Sequence, residues 1–133
     1  MDNIQKSELV IAKILGLLME WGVQKNELTF EELKIDSAYS NFYFPCINWL
    51  VAEKVIRVSK IMQFANGAAD GLVQNPVLTS HGMRVLGLQI SYGDGGITMA
   101  EAVKSVQSGD KSYSQFGDFF GGFLGGFTKS LGS

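Results

Sequence analysis

The chain offers one cysteine and one histidine as a nucleophile, general base or metal ligand. Cys46 lies among Phe44, Ile47 and Trp49, which predicts a buried and inert thiol rather than a reactive thiolate. His81 falls in the first turn of a predicted short helix, and no motif places a cysteine or serine nucleophile beside it. We therefore expect a surface or capping histidine, and neither nucleophilic catalysis nor a zinc site.

Carboxylates and glycines also lack a pattern typical of catalysis or cofactor binding. Glu31 and Glu32 are adjacent in a predicted helical first turn, where acidic side chains interact favourably with the helix dipole. The sequence Asp94-Gly95-Gly96 lacks the spacing of a calcium loop. The glycine-rich C-terminus lacks the Gly-Lys-Ser/Thr sequence and the preceding strand of a phosphate-binding loop. We expect a protein that is not an enzyme and that needs no cofactor or metal.

The composition is typical of one small, weakly charged domain with a short appendage. The length is 133 residues, and 46% of them are hydrophobic, which is enough for a core and excludes full disorder. The net charge of −2 provides no basic field to attract nucleic acid. A single cysteine excludes an intramolecular disulfide, the first residues do not resemble a secretion signal, and no apolar run is long enough to span a membrane. We expect a reduced, cytoplasmic protein.

Apolar spacing and capping residues predict the secondary structure of the first two-thirds of the chain. The predicted elements are helices at 6–21, about 30–35 and 38–54, strands at 55–64 and 72–79, and a helix at 80–88. A capping box from Thr29 to Glu32 opens the second helix. We interpret Pro45 as weakening the first turn of one continuous third helix. Thr79 or Ser80 caps the last of these helices.

The composition then changes, because 11 of the 16 glycines lie between Gly87 and Gly132. Residues 91–96 are interpreted as a flexible, glycine-rich linker. A second capping box, from Thr98 to Glu101, predicts a helix over about 98–107. The sequence therefore predicts a first domain at 1–90 and a glycine-rich extension at 91–133.

The order of helix, helix, helix, strand, hairpin loop, strand and helix resembles the winged-helix superfamily. Two segments carry the resemblance. One is Trp49-Leu50-Val51-Ala52-Glu53-Lys54-Val55-Ile56, and the other is Pro76-Val77-Leu78-Thr79-Ser80-His81-Gly82-Met83-Arg84-Val85-Leu86. The resemblance covers about residues 6–88 and departs from the usual pattern at Val55, where the superfamily often has glycine. It implies a mainly α fold, with a three-helix core and a small two-stranded β-wing.

Many winged helices bind DNA, so the resemblance also implies a DNA-binding transcriptional regulator. The third helix would enter the major groove, where arginine, lysine, asparagine and glutamine read the bases. This helix offers only Asn41, Asn48 and Lys54, and the first wing strand adds Arg57 and Lys60. Because few phosphate contacts give weak affinity, we rank DNA binding second.

Aromatic residues of the third helix allow two interpretations. Phe42, Phe44 and Trp49 are core residues in the first. In the second, Tyr39, Phe42 and Tyr43 form an exposed patch that binds a protein, since interface centres are rich in aromatic side chains and poor in charge. One helix face cannot bury all of these rings, so we expect some of each.

The C-terminal segment from 114 to 133 has the clearest pattern in the chain. Its large apolar residues recur at helical spacing and fall on one side of a helix predicted over about 114–131. These residues are Phe116, Phe119, Phe120, Phe123, Leu124, Phe127 and Leu131. Five interior glycines weaken that helix by about 1 kcal/mol each, so burial of the phenylalanine stripe has to stabilise it.

Three environments can bury this stripe. It can dock on its own domain or on a second copy, it can lie in a membrane interface, or it can become ordered only on a partner. We interpret the chain as a non-catalytic protein-binding module that self-associates, of the inhibitor, antitoxin or immunity-protein type. The alternatives are a DNA-binding regulator and a peripheral membrane protein that is anchored by residues 114–131.

Overall fold

Helices and small antiparallel sheets form the fold, as the composition and spacing predict. The computed structural model describes residues 2–87, 89–92 and 95–108. The α-helices are α1 (Asn3–Trp21), α2 (Tyr43–Ala52), α3 (Ser80–Leu86) and α4 (Met99–Ser108), and 3₁₀ helices cover Phe30–Leu33 and Ser37–Phe42. The strands are β1 (Glu27–Leu28), β2 (Ile56–Arg57), β3 (Lys60–Gln63), β4 (Gly71–Gln74), β5 (Val77–Leu78), β6 (Gln89–Tyr92) and β7 (Gly95–Thr98).

Helix α1 begins three residues earlier than its apolar spacing predicts. The Asp2 side chain accepts a hydrogen bond from the Gln5 N–H at 2.8 Å, and the Gln5 side chain accepts one from the Asp2 N–H at 3.0 Å. This reciprocal capping box satisfies two amide groups that have no partner inside the helix. Gly22 ends the helix with φ 71°, a conformation that suits glycine.

The predicted second and third helices differ from the observed ones. Phe30–Leu33 is a single 3₁₀ turn, and Thr29 makes no side-chain capping hydrogen bond, so the prediction of a capping box there is wrong. The predicted continuous helix 38–54 is two elements, the 3₁₀ helix Ser37–Phe42 and then α2. Pro45 is the third residue of α2, a position that needs no N–H donor, and so it fits without a kink.

Each predicted long strand is split into two short ones. Strand β4 lies between β1 and β3, with Val73 opposite both Leu28 and Ile61, whereas β2 pairs with β5 in a separate sheet. The break in the second strand falls at Asn75, which has φ 53°, followed by Pro76, which cannot donate to a ladder. The chain therefore changes sheets at this point.

The predicted linker at 91–96 is wrong for Ser91, Tyr92, Gly95 and Gly96, which belong to an antiparallel pair of strands. Residues 93 and 94 lie outside the described part of the chain. β6 pairs with β7, and Ile90 lies opposite Ile97. Isoleucine is a residue type that is enriched in strands. At the end of β7, Thr98 Oγ1 accepts the Glu101 N–H at 3.1 Å, which caps α4 as the spacing predicts.

One hydrophobic core runs through the described residues. Helix α4 packs against α1, and Met99, Ala102 and Val103 belong to the same buried cluster as the apolar face of α1. The core is therefore continuous across the predicted boundary at residues 90 and 91. It ties the beginning of the extension to the helix that also carries the site described next.

Candidate functional site

An apolar groove lies between the first half of α1 and the N-terminal part of α2, with a volume of about 220 Å³. Seven residues line it, and none of them carries a charge: Ile4, Ser7, Ile11, Phe42, Pro45, Cys46 and Trp49. A cavity of roughly 150 Å³ holds one benzene ring. The groove therefore has room for one aromatic side chain and part of a second.

Helical spacing places these side chains along two facing walls. Ile4, Ser7 and Ile11 are three and four residues apart on α1, and so they share one face of that helix. The capping box at Asp2 extends α1 far enough to place Ile4 in its first turn, where its side chain is 58% exposed. An exposed isoleucine at the rim leaves apolar surface for another molecule or segment to cover.

Cys46 joins the two walls at the base of the groove. Its side chain is only 4% exposed, and its thiol donates to the Ser7 carbonyl oxygen at 3.6 Å. Burial raises the pKa of the Cys46 thiol to about 12, so the thiolate is scarce near neutral pH. The thiol is therefore buried and poorly nucleophilic, as its apolar neighbours in the sequence predict.

The predicted patch of Tyr39, Phe42 and Tyr43 does not form as one exposed surface. Phe42 is half-buried and lines the groove, and Tyr39 is half-buried against the core. Tyr43 is fully buried, and its hydroxyl donates to the Leu28 carbonyl oxygen at 2.9 Å, so its assignment to the surface is corrected. The rings of Phe30 and Phe44 pack edge-on against Tyr43, with centroids 5.8 and 4.7 Å away.

The groove contains residues that the sequence argument did not assign to a binding surface. Ile4 lies before the predicted start of the first helix, and only the Asp2–Gln5 capping pattern could have placed it on α1. Trp49 was assigned to the core and is half-buried at the groove. Its spacing of seven residues from Phe42, with Pro45 and Cys46 between them, was the available signal for a shared helical face.

The other predicted contact residues lie outside the described part of the chain. They are Phe116, Phe119, Phe120, Phe123, Leu124, Phe127 and Leu131, which form the stripe predicted for oligomer or membrane contact. That stripe stays a prediction from the sequence.

Other cavities in the described ranges are lined by charged side chains. Lys13 and Glu20 face one of about 310 Å³, and Lys25 and Arg57 face another of about 290 Å³. Such mixed or hydrated surroundings do not favour an apolar ligand. Across the described residues, no group of three or more His, Cys, Asp and Glu side chains is arranged to hold a metal ion.

Two carboxylates lie beside the turn of the β3–β4 hairpin, where DNA binding would need basic residues. A cavity of about 630 Å³ lies between its turn and the 3₁₀ helices, and its lining includes Glu31 and Asp70. Arg57 on β2 and Lys60 at the start of β3 are exposed. Carboxylates repel phosphates, so Glu31 and Asp70 oppose contact between this turn and a DNA backbone.

His81 lies in the first turn of α3 and is partly buried. Its Nε2 atom is buried and has no hydrogen-bond partner within the described residues. Cys46, the only thiol, lies in the groove between α1 and α2. These positions do not form a nucleophile–base pair.

Comparisons with protein-family models, with curated proteins and with solved structures found no match. Within the described ranges, no helix combines the length and the apolar character that crossing a membrane requires.

Proposed function

We propose that this chain is a non-catalytic protein-binding module whose α1–α2 groove takes the apolar face of a helix from another protein. The observation that carries the proposal is the groove itself, which is open, uncharged and walled by Phe42, Trp49 and Ile4. Amphipathic helices commonly bind in such grooves through apolar side chains at i, i+3 or i+4, and i+7. Tryptophan and other large anchors supply most of the energy at interfaces of this kind.

A helical partner fits the dimensions of the groove. The wall that α1 forms extends from Ile4 to Ile11, which corresponds to about 10 Å along the helix axis. Two or three side chains on one face of a partner helix cover that length. A second copy of this chain, offering such a face, is one form of the same partner, and self-association remains part of the proposal.

We further propose a winged-helix-like arrangement for residues 6–88. The support is the order of α1, the 3₁₀ helices, α2, β3 and β4, in which β3 and β4 form an antiparallel hairpin. This order also favours a second candidate function, a DNA-binding regulator. The same fold serves many functions, and the exposed side chains of α2 include Asn48 but no arginine or lysine.

Selection from a displayed library of helical peptides tests the proposed function. We expect wild-type protein to enrich peptides with large apolar residues at i, i+3 or i+4, and i+7. Binding should be lost in Ile4→Lys, which places a charge at the groove rim. The matched control is Val23→Lys, because Val23 is 67% exposed and lies outside the groove.

Two results would overturn the proposal. One is a library that yields no such peptides, and the other is a set of peptides that bind Ile4→Lys and wild type equally. Sedimentation of wild type and Ile4→Lys over a range of concentrations tests the self-associating form. An oligomer that forms in wild type but not in Ile4→Lys would support self-association through the groove. A dimer that forms equally in both proteins would contradict it.

A further inference from the structure

We propose that one or two side chains of the phenylalanine stripe of residues 114–131 occupy the α1–α2 groove of the same chain, so that a partner must displace them. The inference deepens the proposed function, on which it rests, by naming the resident occupant of that groove. The stripe comprises Phe116, Phe119, Phe120, Phe123, Leu124, Phe127 and Leu131. Its spacing of i, i+3, i+4 and i+7 is the pattern that an apolar helical groove accepts.

The charges of the two surfaces match. All seven groove-lining residues are uncharged. Residues 114–131 contain one acidic and one basic side chain, Asp118 and Lys129, and both fall on the helical face opposite the stripe. Docking through the stripe therefore leaves both charges in water and buries only apolar surface.

The point where the described chain ends brings this segment within reach. Helix α4 ends at Ser108 and packs against α1, the helix that forms one wall of the groove. Residues 109–113 allow a separation of at most about 20 Å between Ser108 and residue 114. Helix α1 has 19 residues and is about 28 Å long, so this reach is comparable with the dimensions of the helix that α4 contacts.

The short connection also decides between the same chain and a second copy. A segment tethered by a few residues is present at its own groove at an effective concentration in the millimolar range. A second copy at micromolar concentration competes poorly with that. Gly117, Gly121 and Gly125 lie away from the stripe on a helical wheel, and they weaken the free helix. Docking is therefore of modest strength, and a partner helix can reverse it.

Thiol labelling at the groove rim of the full chain tests the proposal. The reporter is Ile4→Cys, treated with a maleimide and read by mass spectrometry, and Val23→Cys is the matched reporter outside the groove. Cys46 is buried at the base of the same groove, and so mass spectrometry of the digested peptides counts its labelling separately from that of the reporters. Each reporter is combined with the stripe variant Phe120→Asp/Phe123→Asp. The charge-matched control is Thr128→Asp/Lys129→Gln on the opposite face.

We expect the stripe variant to raise the labelling rate of Ile4→Cys by about tenfold or more, since labelling reports the undocked fraction. The rate at Val23→Cys should not change, and the control variant should behave as wild type. The slow labelling of Ile4→Cys in the chain with an intact stripe should be the same at about 1 and 100 μM protein, because docking within one chain does not depend on concentration. Circular dichroism confirms folding, and Phe127→Asp replaces the double variant if that variant unfolds.

Each alternative occupant gives a different result. Equal labelling of Ile4→Cys in all tail variants overturns the proposal. Protection that appears only at high concentration, with a dimer in sedimentation, assigns the groove to a second copy and also overturns it. If the stripe has no effect on labelling but is required for flotation with vesicles of anionic phospholipid, then a membrane surface is the occupant instead.

The peptide selection separates this inference from the proposed function. Helical peptides that bind at Ile4 with equal affinity in wild type and the stripe variant would support the function and refute the resident segment. Tighter peptide binding in the stripe variant is expected, because the resident segment no longer competes. If the stripe protects Ile4→Cys from labelling but no peptide binds even to the stripe variant, then the docked segment is supported and the proposed partner helix is contradicted.

Discussion

At the scale of single residues, hydrogen bonding decides whether an aromatic side chain is part of the core or part of a surface. Tyr43 is fully buried because its hydroxyl donates to the Leu28 carbonyl oxygen, which offsets the cost of removing that hydroxyl from water. Burial, and secondarily the Glu31 carboxylate, raise the pKa of Tyr43. The residue types around Tyr43 predict a binding patch. Its burial depends instead on a hydrogen-bond partner that lies 15 residues away in the chain.

Cys46 makes the stability of the protein depend on pH in the alkaline range. Burial raises the pKa of its thiol from the ordinary value of 9.0 to about 12, so the folded state retains a proton that the unfolded state loses. This contribution to the free energy of unfolding is complete below pH 9 and is lost as the pH rises toward 12. We expect Cys46→Ser to be less stable by about 1–2 kcal/mol at neutral pH, because a hydroxyl is buried.

Urea unfolding of wild type and Cys46→Ser at a series of pH values measures this effect. Serine does not titrate, so the deficit of Cys46→Ser should narrow as the pH rises through the window from 9 to 12. Tyr43 is present in both proteins, and so its own titration cancels in the difference. If Cys46→Ser were less stable than wild type by the same amount at pH 7 and at pH 11, the raised pKa of the Cys46 thiol would be contradicted.

At the scale of secondary structure elements, side-chain contacts fix the junctions where one element ends and the next begins. Thr79 caps α3 by accepting the Gly82 N–H at 2.9 Å, and its hydroxyl also lies 2.6 Å from the Lys54 carbonyl oxygen, to which it donates. The Thr79 N–H donates to the Val55 carbonyl oxygen at 3.0 Å. One residue therefore joins the start of α3 to the segment that follows α2.

Gly82→Ala tests how closely α3 approaches that segment. A Cβ atom at this position would overlap the Val55 carbonyl oxygen, which is backbone and cannot rotate away. We expect a loss of roughly 1–3 kcal/mol in the free energy of unfolding, the usual range for overpacking. Thermal or urea denaturation measures it.

Gly67→Ala is the matched control for this substitution. It lies in the turn between β3 and β4, where a Cβ would meet no atom within 4 Å. Its stability should therefore stay within about 0.5 kcal/mol of wild type. Equal stability of the Gly82 and Gly67 variants would show that α3 can move away from Val55 at little cost.

At the scale of the whole molecule, the distribution of charge bears on the ranking of protein over DNA as a partner. We expect duplex DNA to bind more weakly than about 1 μM at physiological salt, which is in the range of non-specific binding. The reason is the small number of basic side chains on α2 and the hairpin, together with Glu31 and Asp70 beside its turn. Fluorescence anisotropy with a labelled duplex checks this.

A footprint at nanomolar protein would contradict that ranking. The decisive variant is Asn48→Ala with Arg57→Ala, since both side chains are exposed on elements that would face DNA. If the double substitution abolished such a footprint, then the regulator would become the preferred function.

The segment beyond α4 should depend on the rest of the molecule for its conformation. A synthetic peptide of residues 112–133 is expected to lack helix in water, since its interior glycines cost about 1 kcal/mol each and short helices are marginal. In the full chain, residues 114–131 should be helical and protected, with Phe119, Phe120, Phe123 and Phe127 buried. Circular dichroism of the peptide and hydrogen exchange of the full chain measure the two states. A helical peptide, or an unprotected segment in the full chain, would contradict the expectation.

Local sequence determined the features of this protein that depend on near neighbours. The apolar spacing predicts α1, Thr79 and Thr98 predict the starts of α3 and α4, and the apolar surroundings of Cys46 predict its burial. These predictions succeed because helix periodicity and capping involve residues only three or four positions apart.

Tertiary structure decided the features that depend on residues far apart in the chain. Leu28 holds Tyr43 in the core, β4 pairs with both β1 and β3, and α4 packs against α1 across the predicted linker. The groove itself needs α1 and α2 side by side, with Ser7 and Cys46 in contact over 39 positions of sequence. Local propensity carries no information about such pairs, because burial of apolar surface selects them only when the whole chain packs.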